Sequence, residues 1–140
     1  MLPDKFKVVI DNNSGGALEF SSTPTDDYCE VRAKMWKYSS SGYLEWSADQ
    51  LIGSGFTDLA DGSWDVSEEV DNSTNKYVGL KGTLNVGANH GVITGNVDAY
   101  LEWSHNDVYP DAEISFDPAQ HATLVTVLPV LGTGTRTFSY

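Results

Sequence analysis

A single cysteine, Cys29, is too few for an internal disulfide, so the fold must be held by packing and hydrogen bonding. Basic residues are scarce as well. There are eight against twenty acidic ones, and the net charge of -12 repels phosphate backbones and anionic lipid surfaces. Neither nucleic acid nor a membrane is an expected partner. No run approaches the ~18 consecutive apolar residues of a membrane-spanning helix. The opening Met1-Leu2-Pro3-Asp4-Lys5 leads into a strand-like run and not into an apolar leader, so synthesis in a cytoplasm without a secretory signal is expected.

The common catalytic templates are missing too. HExxH, Cys/His metal spacing, the Gly-x-Ser-x-Gly elbow and a phosphate-cradling glycine loop are all absent. Only His90, His105 and His121 titrate near neutrality without perturbation. An enzyme is therefore not expected, and no cofactor is implied. Carboxylates crowd two segments, Asp58, Asp61, Asp65, Glu68, Glu69 and Asp71, then Asp107, Asp111, Glu113 and Asp117. Calcium takes several oxygen ligands, but the EF-hand spacing is missing, so both segments read as solvated acidic loops with no metal.

What is present is apolar surface in the right amount and with the right period. The 140 residues are 40% hydrophobic and 11% aromatic, enough for one core, and a single domain over 1–140 is expected. Alternation with period two dominates, as strands with one buried face require. In Lys5 to Asp11, Phe6, Val8 and Ile10 share a face, and a turn cluster at 12–16 leads to a returning strand, Ala17 to Ser21. Cys29 to Tyr38 puts Cys29, Val31, Ala33 and Met35 inward, with Arg32, Lys34, Trp36 and Tyr38 outward. A turn at 39–42 predicts a hairpin into Tyr43 to Trp46, and Ser47 with Gln50 suggests a capping box and a helical turn over Ala48 to Ile52.

Residues 53–75 read as a long loop with one short strand, followed by a strand over Lys76 to Val86. Asn96 to Ser104 alternates with Val97, Ala99, Leu101 and Trp103 inward and Asp98, Tyr100, Glu102 and Ser104 outward. Asp117-Pro118-Ala119-Gln120 carries an N-cap and a first-turn proline, hence one helical turn. Thr123 to Leu131 and Arg136 to Tyr140 close the chain, with Pro129 placing its strand at an edge or a bend. Roughly eight to ten short strands without a long amphipathic helix predict an all-β antiparallel sandwich, jelly-roll-like in the preferred version. The pentapeptide Tyr-Leu-Glu-Trp-Ser occurs at 43–47 and again at 100–104, read as two strands in similar half-buried environments.

The outward face of the 29–38 strand concentrates Arg32, Lys34, Trp36 and Tyr38 in a chain poor in cations. Aromatic and arginine side chains are the usual anchors of interfaces, and a protein interface is preferred there over stacking on sugars. With Met1, Leu2 and Pro3 at one terminus and Phe138 and Tyr140 at the other, which could clamp a neighbour's sheet, these are the candidate interface residues.

Three stretches carry a resemblance: Asp71-Asn72-Ser73-Thr74-Asn75-Lys76-Tyr77 leading into a strand, then Val97 to Ser104, then Tyr109-Pro110-Asp111-Ala112. Over residues 66–128 the chain resembles small virion structural proteins of tailed bacteriophages. The resemblance implies a jelly-roll or related sandwich on the particle surface, either as a capsid decoration (cement) protein binding the major capsid protein or as a neck or fibre component. It brings no catalytic residues, and the N-terminal half has no counterpart in it. A symmetric oligomer, a trimer at a local three-fold axis, would supply the repeated contacts of decoration. A carbohydrate-binding module using Trp36, Tyr38 or Tyr43 as stacking platforms is the alternative.

Overall fold

A computed structural model describes residues 2–17, 29–53, 59–86, 95–104, 108–112, 116–129 and 134–140. Its strands are β1 (Lys5–Asn13), β2 (Cys29–Tyr38), β3 (Leu44–Trp46), β4 (Gln50–Gly53), β5 (Trp64–Val66), β6 (Val70–Asp71), β7 (Gly79–Val86), β8 (Asn96–Trp103), β9 (Thr123–Pro129) and β10 (Gly134–Ser139). One helical turn, α1 (Pro118–His121), and a 3-10 turn at Pro110–Ala112 complete it. The architecture is an all-β sandwich of two antiparallel sheets. The first has the order β5-β1-β8-β9, with β6 beside β1, and the second β10-β7-β2-β3, with β4 beside β2.

Alternation explains the core. Phe6, Val8 and Ile10 of β1 and Val97, Ala99 and Leu101 of β8 face Val31, Ala33 and Met35 of β2, Leu80 of β7 and Phe138 of β10. Each fully buried Val, Leu, Ile or Phe contributes ~1.5–3 kcal/mol by leaving water. Leu2 and Leu59 complete the cluster. Pro129 ends β9, an edge strand, where a missing N–H leaves no ladder partner unpaired. The expected strand over 17–21 lies outside the described residues beyond Ala17.

Several elements differ from the sequence reading. Residues 50–53 are a strand and not a helical turn, because Ser47 does not cap. Its hydroxyl accepts from the Met35 amide at 2.9 Å and donates to the Ala48 carbonyl at 2.8 Å, which holds the chain beside β2. The 53–75 region carries two short strands, β5 and β6, both paired with β1. Trp103, expected inward, is 43% exposed at the last position of β8. The α1 turn does form at the expected place, where the Asp117 carboxylate accepts from the Ala119 amide at 3.0 Å and Gln120 reaches back to it at 2.8 Å.

Two buried asparagines organise the loops. Asn12 donates to the Gly16 and Leu59 carbonyls at 2.8 and 3.0 Å. Asn72 donates to the Pro3 and Tyr77 carbonyls and accepts from the Tyr77 amide at 2.8 Å. The 71–77 motif is thus a clamp that ties the N-terminus to the start of β7.

Candidate functional site

The outer face of the second sheet collects the residues singled out in β2. Register sets Trp36 opposite Trp46 and Tyr38 opposite Leu44 across β2 and β3. Across β2 and β7 it sets Arg32 opposite Thr83, Lys34 opposite Lys81 and Trp36 opposite Gly79. Thr137 of β10 lies opposite Thr83. Gly79 has a steric reason to be glycine, since a Cβ there would sit 2.7 Å from the Trp36 indole. Trp36 therefore lies over the Gly79 backbone, half-buried, with the Tyr38 ring edge-on at 5.7 Å.

The hairpin tip is held rigidly. The Ser39 amide donates to the Tyr43 carbonyl at 2.8 Å, the Tyr43 amide to the Ser39 hydroxyl at 3.0 Å, and Gly42 takes a φ of 82°. On this framework Tyr38, Tyr43, Leu44 and Trp46 are 64%, 75%, 49% and 47% exposed. Four large exposed apolar side chains thus lie on or beside one hairpin.

Beside the hairpin, along β2, runs an open groove of about 450 Å³ lined among others by Arg32, Lys34, Trp46, Lys81, Thr83 and Thr137. Arg32 is paired with Asp49 at 3.2 Å. Lys34 and Lys81 have no acidic partner among the described residues. Like charges directly opposite on neighbouring strands repel, so this pair favours an anion between them.

The first sheet hides a different cluster. Tyr100 and Glu102 do leave β8 on the face away from the central core, yet they are only 6% and 1% exposed. Residues 109–112 and 116–122 cover them. Val9, Tyr100 and Phe116 form a second small core with Trp64 and Val66, and Trp64 meets Phe116 edge-on at 4.7 Å. Glu102 accepts from the Asp111 amide at 3.2 Å through Oε2, while its buried Oε1 has no hydrogen-bond partner among the described residues. Burial first, and the Asp111 carboxylate second, push Glu102 up to about 8, so it is neutral at pH 7. Lys7 bridges to Asp111 at 3.3 Å and lies 4.4 Å from the Tyr109 ring, whose hydroxyl donates to Glu69 at 3.0 Å. Burial and the hydrogen bond to Glu69 raise the Tyr109 phenol above its ordinary range. Asp98 is raised likewise by burial and by Asp11 directly opposite. A neutral carboxyl beside a carboxylate is acid–base equipment, but no substrate atom reaches a side chain 1% exposed while its cover is in place.

The sequence reading missed this cluster because it assigned Glu102 to solvent and treated Asp111 as part of a solvated loop. The available signal was Tyr109 and Phe116, apolar surface in a polar segment that needs burial somewhere.

Of the candidate interface residues, Arg32, Lys34, Trp36 and Tyr38 share one surface. The termini do not join them. Leu2 and Phe138 are 3% and 8% exposed, packed in the chain's own core, and so give a neighbour nothing to grip. Tyr140 packs against that core and exchanges two backbone hydrogen bonds of 3.0 Å with Leu80. Pro3 is half-buried beside the Asn72 clamp, and Met1 lies outside the described residues. His90 and His105 also lie outside them, whereas His121 has its ring against Phe116. Asp58 lies outside the described residues, and the carboxylates of 61–71 are spread among separate partners. Asp61 accepts from the Gly15 amide, Glu69 meets Lys5 and Tyr109, and Asp71 accepts from the Ser73 amide. Among the described residues no three metal-ligating side chains gather, and no helix is long and apolar enough to cross a membrane. No protein-family model, curated protein or solved structure matches the chain.

Proposed function

We propose that this chain is a non-enzymatic virion structural protein, a capsid decoration (cement) protein that binds the major capsid protein through the tip of the β2–β3 hairpin. The observation that carries the reading is the exposed group Tyr38, Tyr43, Leu44 and Trp46 on a hydrogen-bonded turn. Tyrosine and tryptophan present large contact areas with few rotatable bonds, so they dock at low entropic cost. The rigid sheet beneath them adds preorganisation. The resemblance of residues 66–128 to phage virion proteins supplies the particle, and repeated contacts on its surface favour a trimer.

The test is co-sedimentation of the purified chain with undecorated capsids assembled from the major capsid protein encoded beside its gene. Saturable binding that Tyr43→Ser with Leu44→Ser weakens at least tenfold supports the reading. Failure to sediment with those capsids, or a gene neighbourhood without capsid, portal or terminase genes, overturns it.

A further inference from the structure

The groove beside the hairpin shares Trp46 with that docking patch and is otherwise lined by residues outside it. Lys34 stands four residues before Tyr38 on β2, roughly 13 Å away at the ~3.3 Å rise of a strand, so the lysine end of the groove lies clear of the hairpin tip. Its volume of about 450 Å³ falls within the ~300–1,000 Å³ of small-ligand sites.

The lining has four chemical parts. Trp46, 47% exposed, supplies an apolar wall. Lys34 and Lys81, directly opposite each other and without acidic partners among the described residues, supply two converging positive charges. Thr83 and Thr137, also directly opposite, supply hydroxyls that both donate and accept. Asp49, held by Arg32 at 3.2 Å, supplies an acceptor. Gly82 lines the groove with backbone, since its own Cβ position is turned towards the Phe138 ring.

From this arrangement we infer that the groove binds a short or terminal acidic saccharide, its ring packed on Trp46 and its anionic group held between Lys34 and Lys81. A sugar ring offers the combination the lining asks for: an apolar C–H face, several hydroxyls and, in acidic sugars, a carboxylate or sulfate. A bare inorganic anion would leave Trp46 and the threonine pair unused. A long polyanion would be repelled by a chain of net charge -12, which limits the ligand to a chain end or a short oligomer. The inference differs from the earlier choice of Trp36 and Tyr38 as stacking platforms, because Trp36 already covers Gly79. It shares only Trp46 with the capsid reading, whereas the lysine and threonine pairs belong to the groove alone.

The experiment is isothermal titration of the intact chain with sialyllactose, digalacturonate and a sulfated chondroitin disaccharide, with lactose and a short oligoglutamate peptide as comparisons. Saturable binding of at least one acidic sugar is expected, at least tenfold tighter than lactose, and the sugar bound identifies carboxylate or sulfate as the anion. Lys34→Gln with Lys81→Gln should weaken it at least tenfold and leave the fold intact, because the substitutions remove a repulsion. Trp46→Ala should weaken it comparably, and Lys37→Gln, outside the groove, should not. Capsid binding by the lysine double variant separates a failed groove from a failed particle reading. Silence with all three acidic sugars overturns the inference. Oligoglutamate binding that is as tight and indifferent to Trp46→Ala overturns it in favour of an acidic peptide seat.

Discussion

Replacing Glu102 by glutamine should make the protein less stable or equal in acid and more stable in base. The carboxyl is 1% exposed, one oxygen has no partner, and burial with Asp111 raises it from 4.5 to about 8. A raised carboxyl means the native state holds a proton that the unfolded chain has released. Between pH 4.5 and about 8 stability therefore falls as pH rises, by about 1.4 kcal/mol per unit, and levels off above the native value. From pH 5 to 9 the ceiling is about 4 kcal/mol, and water reaching Oε1 on local loosening lowers the expectation to roughly 2–4 kcal/mol. Asp98, also raised, acts in the same direction. The useful quantity is thus the difference between wild type and Glu102→Gln, which cancels Asp98 and the general repulsion of the acidic chain. Glutamine imitates the protonated side chain, so at pH 5 the two should lie within about 1 kcal/mol. At pH 9 the variant should lead by roughly 2–4 kcal/mol. Urea unfolding at pH 5, 6.5, 8 and 9 measures the difference. Parallel pH profiles for the two proteins would refute the argument, because they would mean that Glu102 does not hold the extra native-state proton.

Further outcomes follow from neighbouring packing. Lys7→Met strips the half-buried cation from Asp111 and from the Tyr109 ring, and should cost about 2–3 kcal/mol in thermal unfolding; a neutral result would mean the bridge at 3.3 Å is solvated. Gly82→Ala places a Cβ 2.6 Å from the Phe138 ring and 2.7 Å from the Arg32 carbonyl oxygen, for a loss of about 2–3 kcal/mol. Gly62→Ala, at a φ of 76° with open space around it, should lose only about 1 kcal/mol, and equal losses in chemical denaturation would contradict the packing argument. Asn12→Ala removes the donor to the Leu59 carbonyl and the acceptor of the Ser14 amide and leaves the Gly16 carbonyl with the Ser14 hydroxyl alone, costing about 2–3 kcal/mol. Hydrogen exchange at the Ser14 amide should accelerate, and unchanged protection would count against the assigned network.

The repeated pentapeptide shows where sequence information ends. Residues 43–47 and 100–104 are identical, so propensity and alternation treat them alike. Tyr43 is nevertheless 75% exposed and Tyr100 6%, Leu44 49% and Leu101 1%. The first copy enters β3, a three-residue edge strand paired only with β2. The second enters β8, flanked by β1 and β9, with the other sheet on one face and residues 109–112 and 116–122 on the other. One copy became an exposed hairpin strand and the other a buried strand that carries the enclosed Glu102, although neither contains a residue the other lacks.

By itself the sequence determined the long strands β1, β2 and β8 and most of their inward faces, because a period of two follows from backbone geometry within each segment. Cys29 to Tyr38 is a strand over its expected length, its outward cations and aromatics share one surface, and Asp117 caps the helical turn at its expected place. Strand neighbours, the fate of the termini and the cover over Glu102 were decided only in three dimensions. Pairing Lys34 with Lys81, or laying Asp111 over Glu102, joins residues 47 and 9 positions apart, and alternation carries no information across such separations.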